Sequence, residues 1–233
     1  MKIEAYVLCH QEEKIIPYLM RHYNQFAQVY LMEGHSTDRT VDIALSMGAK
    51  IIPVDTGNQV NDKIYLDLKN NAWKDSKADW VIICDTDEFI YHHNIKQYLE
   101  NTPYTIFLPR LFNMYSETYP TTEGQIYEEV CMGVDCGGKM NLFKPSEIRE
   151  INYLPGCHNA KPEGNVKLCA NSEILTLHFK NLSREYVIER NAYLFNRMSE
   201  INKRYGWGFH VGKGAEAVNK DFDDNAERLI KVV

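Results

Sequence analysis

Trp80-Val81-Ile82-Ile83-Cys84-Asp85-Thr86-Asp87-Glu88-Phe89 decides the fold. From Trp80 to Cys84 the chain is apolar without a break, the pattern of a strand buried on both faces by helices. Two carboxylates follow at once. Upstream, strand and helix signals alternate. Ile3–Cys9 is a short run with β-branched and aromatic residues. Ile16, Leu19, Met20, Tyr23 and Phe26 then recur at helical spacing, with Pro17 suited to a first turn. Val29–Met32 predicts a second strand, and Ser36 an N-cap for a helix through Val41, Ala44 and Leu45 that stops at Gly48. Ile51–Val54 predicts a third strand, and Ile64, Leu68 and Ala72 another helix. Strand and helix in strict turn predict βαβ units and a parallel sheet, hence an α/β fold.

Downstream the pattern changes. Tyr104–Pro109, Lys139–Lys144, Ile151–Leu154 and Ile174–His178 read as strands separated by long polar or Gly-rich stretches. Ser183–Tyr205 reads as one helix ended by Gly206. Val218, Phe222, Ala226, Leu229 and Val233 mark a final helix. The expected organisation is a Rossmann-type half with a mostly parallel sheet over residues 1–110, a mixed, loop-rich half of the same domain over 111–182, and C-terminal helices over 183–233.

Composition sets limits. The chain has 233 residues, 44% hydrophobic and 25% charged, which suits one packed domain. Its net charge of −6 argues against a general nucleic-acid binder, which needs a basic face. No Cys-x-x-Cys occurs among the six cysteines, so neither a zinc ribbon nor a thioredoxin-like motif is supported. The N-terminal apolar run is too short for a signal peptide, and no stretch nears the ~20 apolar residues of a membrane span. A cytoplasmic protein is the expectation, with association at a membrane surface left open.

Asp85 and Asp87 carry the chemistry. Ligands of α/β sheets bind at the carboxyl ends of strands, and residues i and i+2 of extended chain point the same way. Two hard oxygen donors so placed suit Mn²⁺ or Mg²⁺ shared with substrate phosphates. Such a metal neutralises a departing diphosphate. The plainer alternative is a solvated turn.

Several segments together resemble the family 2-like glycosyltransferases of GT-A fold, in particular a bacterial branch with an Asp-x-Asp-Glu-Phe segment. Val7–Glu13 is similar to the family's first strand and Asn-Glu loop. Glu33-Gly34-His35-Ser36-Thr37-Asp38-Arg39-Thr40 is similar to its Asp-x-Gly-Ser-Thr-Asp-x-Thr segment, and Asp79–Phe89 to its acidic motif. Gly156-Cys157-His158 and Leu177-His178-Phe179 add weaker likeness. Glu33, His35 and Gln11 stand where the family has Asp, Gly and Asn.

The resemblance implies a metal-dependent, inverting transfer of a sugar from a nucleotide-sugar donor, a UDP-sugar, to a glycan or glycolipid hydroxyl. It implies that His10, Glu12 and Glu33 contact the nucleoside. Asp85 then approaches the ribose and the metal, Asp87 and His178 bind the metal, and His158 joins the active site. For the base that takes the acceptor's proton, Asp135 in a Gly-rich loop is one candidate, with Glu128 and Glu129 as alternatives. Lys63 and Lys139 are candidates for the diphosphate. Tyr115, Tyr119 and Tyr127 read equally as sugar platforms or as core.

Two rivals remain. A haloacid-dehalogenase-type phosphatase also places Asp-x-Asp after an apolar strand, but then continues with any residue and Thr or Val, where this chain has Glu88 and Phe89. A non-catalytic nucleotide-sugar or carbohydrate binder would hold ligand without transferring it.

Overall fold

The computed structural model describes residues 1–233. The first half alternates as β1 (Ile3–Cys9), α1 (Ile16–Tyr23), β2 (Gln28–Glu33), α2 (Thr40–Ser46), β3 (Lys50–Pro53), α3 (Asp62–Asn71) and β4 (Trp80–Asp85). Then come β5 (Glu88–Tyr91), α4 (Ile95–Glu100), β6 (Ile106–Phe107), β7 (Arg110–Ser116), β8 (Met132–Gly138), β9 (Leu142–Phe143), β10 (Ile148–Glu150), β11 (Glu163–Gly164), β12 (Leu168–Cys169) and β13 (Leu175–Leu182). The chain closes with α5 (Arg184–Asn196), α6 (Glu200–Tyr205), α7 (Gly214–Ala226) and β14 (Ile230–Lys231).

The fold is α/β. Seven strands form one sheet in the order β12-β6-β9-β4-β1-β2-β3. β4, β1, β2 and β3 are mutually parallel, and β9 runs antiparallel between β4 and β6. The chain moves outward from β1 to β3 and then returns to the other side of β1 as β4. That reversal opens a crevice at the carboxyl ends of β1 and β4. β9, from the stretch 111–182, pairs with β4, so the second half of the chain completes the first half's sheet.

β4 is covered on both faces, as its apolar run predicts. Trp80, Ile82 and Cys84 join a large core with Leu19, Met20 and Tyr23 of α1. Val81 and Ile83 join a smaller one with Trp73 and Phe143. Five further strands form a second sheet, β14-β8-β7-β13-β5. Only Thr86 and Asp87 separate β4 from β5, so the acidic pair sits where the chain leaves one sheet and enters the other.

Several expectations are corrected. The helix expected over Ser183–Tyr205 breaks after Asn196, because backbone at Arg197 and Ser199 bonds Val60 instead, at 2.8 and 3.0 Å. Ser199 then caps α6 through Asn202 N. The final helix stops at Ala226, and the chain beyond it pairs with β8, Ile230 opposite Gly133. The Gly-rich stretch around Asp135 is strand β8, held by β7 on one side and β14 on the other. Ile151–Leu154 holds only an isolated bridge from Tyr153 to Ala160, while the strand lies earlier, at Ile148–Glu150. α2 takes Arg39 as its N-cap residue, without a side-chain cap. Ser36 Oγ is occupied accepting from Gln11 N at 2.8 Å.

Candidate functional site

The loops after β1 and β2 are buckled together. Gln11 Oε1 accepts from Thr37 N and Asp38 N at 2.6 and 3.0 Å. Glu33 accepts from His35 N and Ser36 N at 3.0 and 2.6 Å. Glu12 N donates to Thr40 Oγ1 at 2.8 Å. Gln11 and His35 hold left-handed backbone, φ 54° and 60°. Glycine takes that conformation without strain, and His35 takes it with a side chain. Glu33 is therefore committed to its own loop and does not line the cavity beside it.

That cavity, about 350 Å³, opens over the carboxyl ends of β1 and β4. Its floor is a lattice of opposite charges. Asp85 Oδ1 accepts from Lys69 Nζ at 2.6 Å, and Asp85 Oδ2 lies 3.5 Å from Lys139 Nζ. Lys139 is 2% exposed and also donates to both oxygens of Glu88, at 2.7 and 2.6 Å. Asp87 faces His178 Nε2 and Arg190 Nη2, each at 3.5 Å. Arg190 Nη2 donates to Glu12 Oε1 at 2.7 Å and so links the end of β1 to the acidic corner.

Burial opposes ionisation of Asp85, Asp87 and Glu12, and their partners decide the outcome. Burial pushes Asp85 up, but Lys69 and Lys139 outweigh it and hold the carboxyl at about 2. Asp87 is likewise raised by burial and pulled well below the usual range by His178 and Arg190. Glu12 stays raised, because burial exceeds the help from Arg190. Burial, followed by Lys139, lowers His158.

The donor set bears on metal binding. Asn113 Nδ2 donates to Cys136 Sγ at 2.9 Å, which leaves Asn113 Oδ1 to accept the hydrogen of His178 Nδ1 at 3.0 Å. His178 Nε2 faces Asp87 Oδ1 at 3.5 Å, and the two atoms are of the kinds that could share a divalent cation. No group of three or more His, Cys, Asp and Glu side chains gathers in the structure. Of the three residues expected to bind the metal, Asp87 and His178 face each other, and Asp85 is paired with Lys69 and Lys139.

Of the residues expected at the site, His10, Glu12, Asp85, Asp87, Lys139, His158 and His178 line this one cavity. His10 is fixed by Gly34 O at 2.7 Å and the Tyr193 hydroxyl at 2.9 Å. Lys63 is exposed on α3, away from the cavity lining. Asp135 lies outside too, on β8, held by Arg110 at 2.6 Å. Glu128 and Glu129 lie at a 3-10 turn, where Glu129 accepts from Thr121 N at 2.9 Å. Tyr115, Tyr119 and Tyr127 pack edge-on against Phe222, Tyr186 and Tyr91, as core residues do.

Sequence reasoning missed Lys69, Glu88, Arg190, Arg197 and His210, all lining residues. Asp62, Leu66 and Lys69 fall at i, i+4 and i+7 of α3 and mark one face, a legible signal. Arg190 and Arg197 carry none, since only the tertiary fold brings α5 over β1.

No protein-family model and no curated protein matches the chain. Among solved structures, S. aureus TarS (residues 1–349) aligns at 14% identity and TM-score 0.45, covering 86% of this chain and 67% of that one. Glucosyl-3-phosphoglycerate synthase from Mycobacterium tuberculosis aligns at 15% identity and TM-score 0.34, over 48% of this chain and 44% of that one. Mannosyl-3-phosphoglycerate synthase from Rubrobacter xylanophilus aligns at 13% identity and TM-score 0.35, over 48% of this chain and 40% of that one. This chain thus spans less than half the length of either synthase. No helix of the chain is long and apolar enough to cross a membrane.

Proposed function

We propose that the chain is a GT-A-like glycosyltransferase, taking a nucleoside-diphosphate sugar, a UDP-sugar, as donor and a glycan or glycolipid hydroxyl as acceptor. One observation carries the reading. The turn from β4 to β5 gathers Asp85, Asp87 and Glu88 with Lys69, Lys139, Arg190 and His178 around a cavity at the sheet's switch point. A site that balances so many charges is pre-organised for a ligand that carries several of its own.

In this reading the nucleoside lies toward the ends of β1 to β3, against His10 and Thr56, with Asp62 near the ribose. The diphosphate lies over Lys69, Lys139 and Arg197. A divalent cation, Mn²⁺ or Mg²⁺, held by Asp87 and His178, would offset charge on the leaving diphosphate. The acceptor oxygen attacks the anomeric carbon from the face opposite the diphosphate, which inverts that centre. The bond from that carbon to the distal phosphate oxygen breaks, and the nucleoside diphosphate leaves with the electron pair. The hydroxyl proton passes to His158, which burial and Lys139 keep neutral near pH 7 and so able to accept it.

Calorimetry with UDP, with and without Mn²⁺, tests the reading, together with donor turnover by Asp87→Asn. Wild type is expected to bind UDP more tightly with the metal. The variant should lose that increment and at least about tenfold in turnover, while its thermal unfolding stays cooperative. Failure of wild type to bind UDP under either condition overturns the proposal.

A further inference from the structure

A second cavity, of about 690 Å³, lies beside the first. The two share a wall that includes Asp87, His158, His178, Arg190 and His210. The acids of the second cavity are already engaged. Asp221 accepts from the Tyr115 hydroxyl at 2.8 Å, Asp224 from Lys220 at 2.8 Å, and Asp87 faces Arg190.

Two of its cations are not engaged. Lys180 and Lys213 line the cavity, and neither meets a carboxylate within 4.0 Å, unlike Lys69 and Lys139 in the donor cavity. A bulge in β13 sets Lys180 and its neighbour there. From His178 to Asn181 the strand advances three residues while β7 advances two, from Asn113 to Tyr115. The extra residue breaks the alternation of faces, so that His178, Lys180 and Asn181 all line the cavity. Asn181 is 3% exposed, and its amide Nδ2 has no partner within the protein. An unmatched amide donor beside two unmatched ammonium groups asks for an acceptor-rich, negatively charged ligand.

We propose that this second cavity is the acceptor subsite, and that the acceptor carries an anionic group, a carboxylate or a phosphate ester, held by Lys180 and Lys213. The proposal rests on the glycosyltransferase reading above and adds the acceptor's chemical class to it. The anion anchors the acceptor while its hydroxyl faces the shared wall, where His158 stands between donor and acceptor. The same bonds form and break in the transfer, and the anionic group is unchanged.

The test titrates three probes into the UDP-saturated protein: a neutral methyl hexoside, a methyl hexuronide and a hexose 6-phosphate. One or both anionic probes are expected to bind at least about tenfold tighter than the neutral one, and whichever wins tells carboxylate from phosphate. Lys180→Met with Lys213→Met should erase that preference and leave UDP affinity unchanged, since neither lysine lines the donor cavity. Equal binding of all three probes, no binding of either anion, or a preference that survives the double variant overturns the inference and leaves the donor reading standing. Absence of UDP binding in wild type takes both down.

Discussion

At the scale of single residues, Asp85, Asp87 and His178 stand out in the sequence, while the pairing of the two acids with Lys69, Lys139 and Arg190 does not. A pair of acids after a buried strand is a local pattern. Lys69 and Lys139 reach Asp85 from 16 and 54 residues away, distances over which composition and periodicity say nothing. Lys139 was singled out, but its role as the buried counterion of Glu88 shows only in the fold. His22 illustrates the same gap and permits a test. It is 3% exposed among Tyr23, Phe26 and Phe89, with Nε2 donating to Ile90 O at 2.8 Å. Burial pushes it down to about 4. Its ordinary value is about 6.5, so between those two values the unfolded chain binds a proton that the folded chain refuses. Stability therefore rises with pH across that window and is lost on acidification, by about 2 kcal/mol from pH 7 to pH 5. Urea unfolding at the two pH values should show this loss in wild type and a smaller one in His22→Gln. Coincident losses in the two proteins would remove His22 as the cause.

At the scale of elements, legibility followed local consistency. β4 was plain because five consecutive apolar residues have one structural reading at that length. β8 was hidden because Met132-Gly133-Val134-Asp135-Cys136-Gly137-Gly138 has the composition of a loop and is a strand only through the partners on both sides. The break between α5 and α6 was hidden for a related reason. Nothing near Arg197 stops a helix, and the competing bonds come from Val60. Ser199 makes the break productive, with Oγ accepting from Asn202 N at 3.2 Å in a buried setting. Ser199→Ala is expected to cost about 1 kcal/mol and lower the melting midpoint by roughly 2–4 °C. Amide exchange should quicken around Val60 and α6 and stay unchanged in α7. Uniform quickening across Val60, α6 and α7 would contradict this local role.

At the scale of the whole molecule, Arg190 joins the two sheets and the C-terminal helices at one point. Glu12 is 10% exposed and Asp87 6%, and Arg190 is a shared counterion for both. Removing one partner of a buried ion pair leaves charge without compensation, so Arg190→Met should lose about 3 kcal/mol near neutral pH. The sign with pH follows from the acids left behind. Without the guanidinium both folded values rise from where they stand in wild type, so protonation relieves part of the cost. The deficit should be smaller at pH 5 than at pH 8 in denaturant titrations of variant against wild type. A deficit that grows on acidification would show that the guanidinium does not hold these acids.

The bond from Arg190 to Glu12 spans 178 residues. A ribosome adding about 5–20 residues per second needs roughly 10–35 s to cover that interval. Throughout that time the nascent chain already holds β1 and, later, the acidic corner, while the arginine that ties them has yet to be made. The charge balance of this corner is thus complete only once Arg190 has been made and α5 has seated its guanidinium between Glu12 and Asp87.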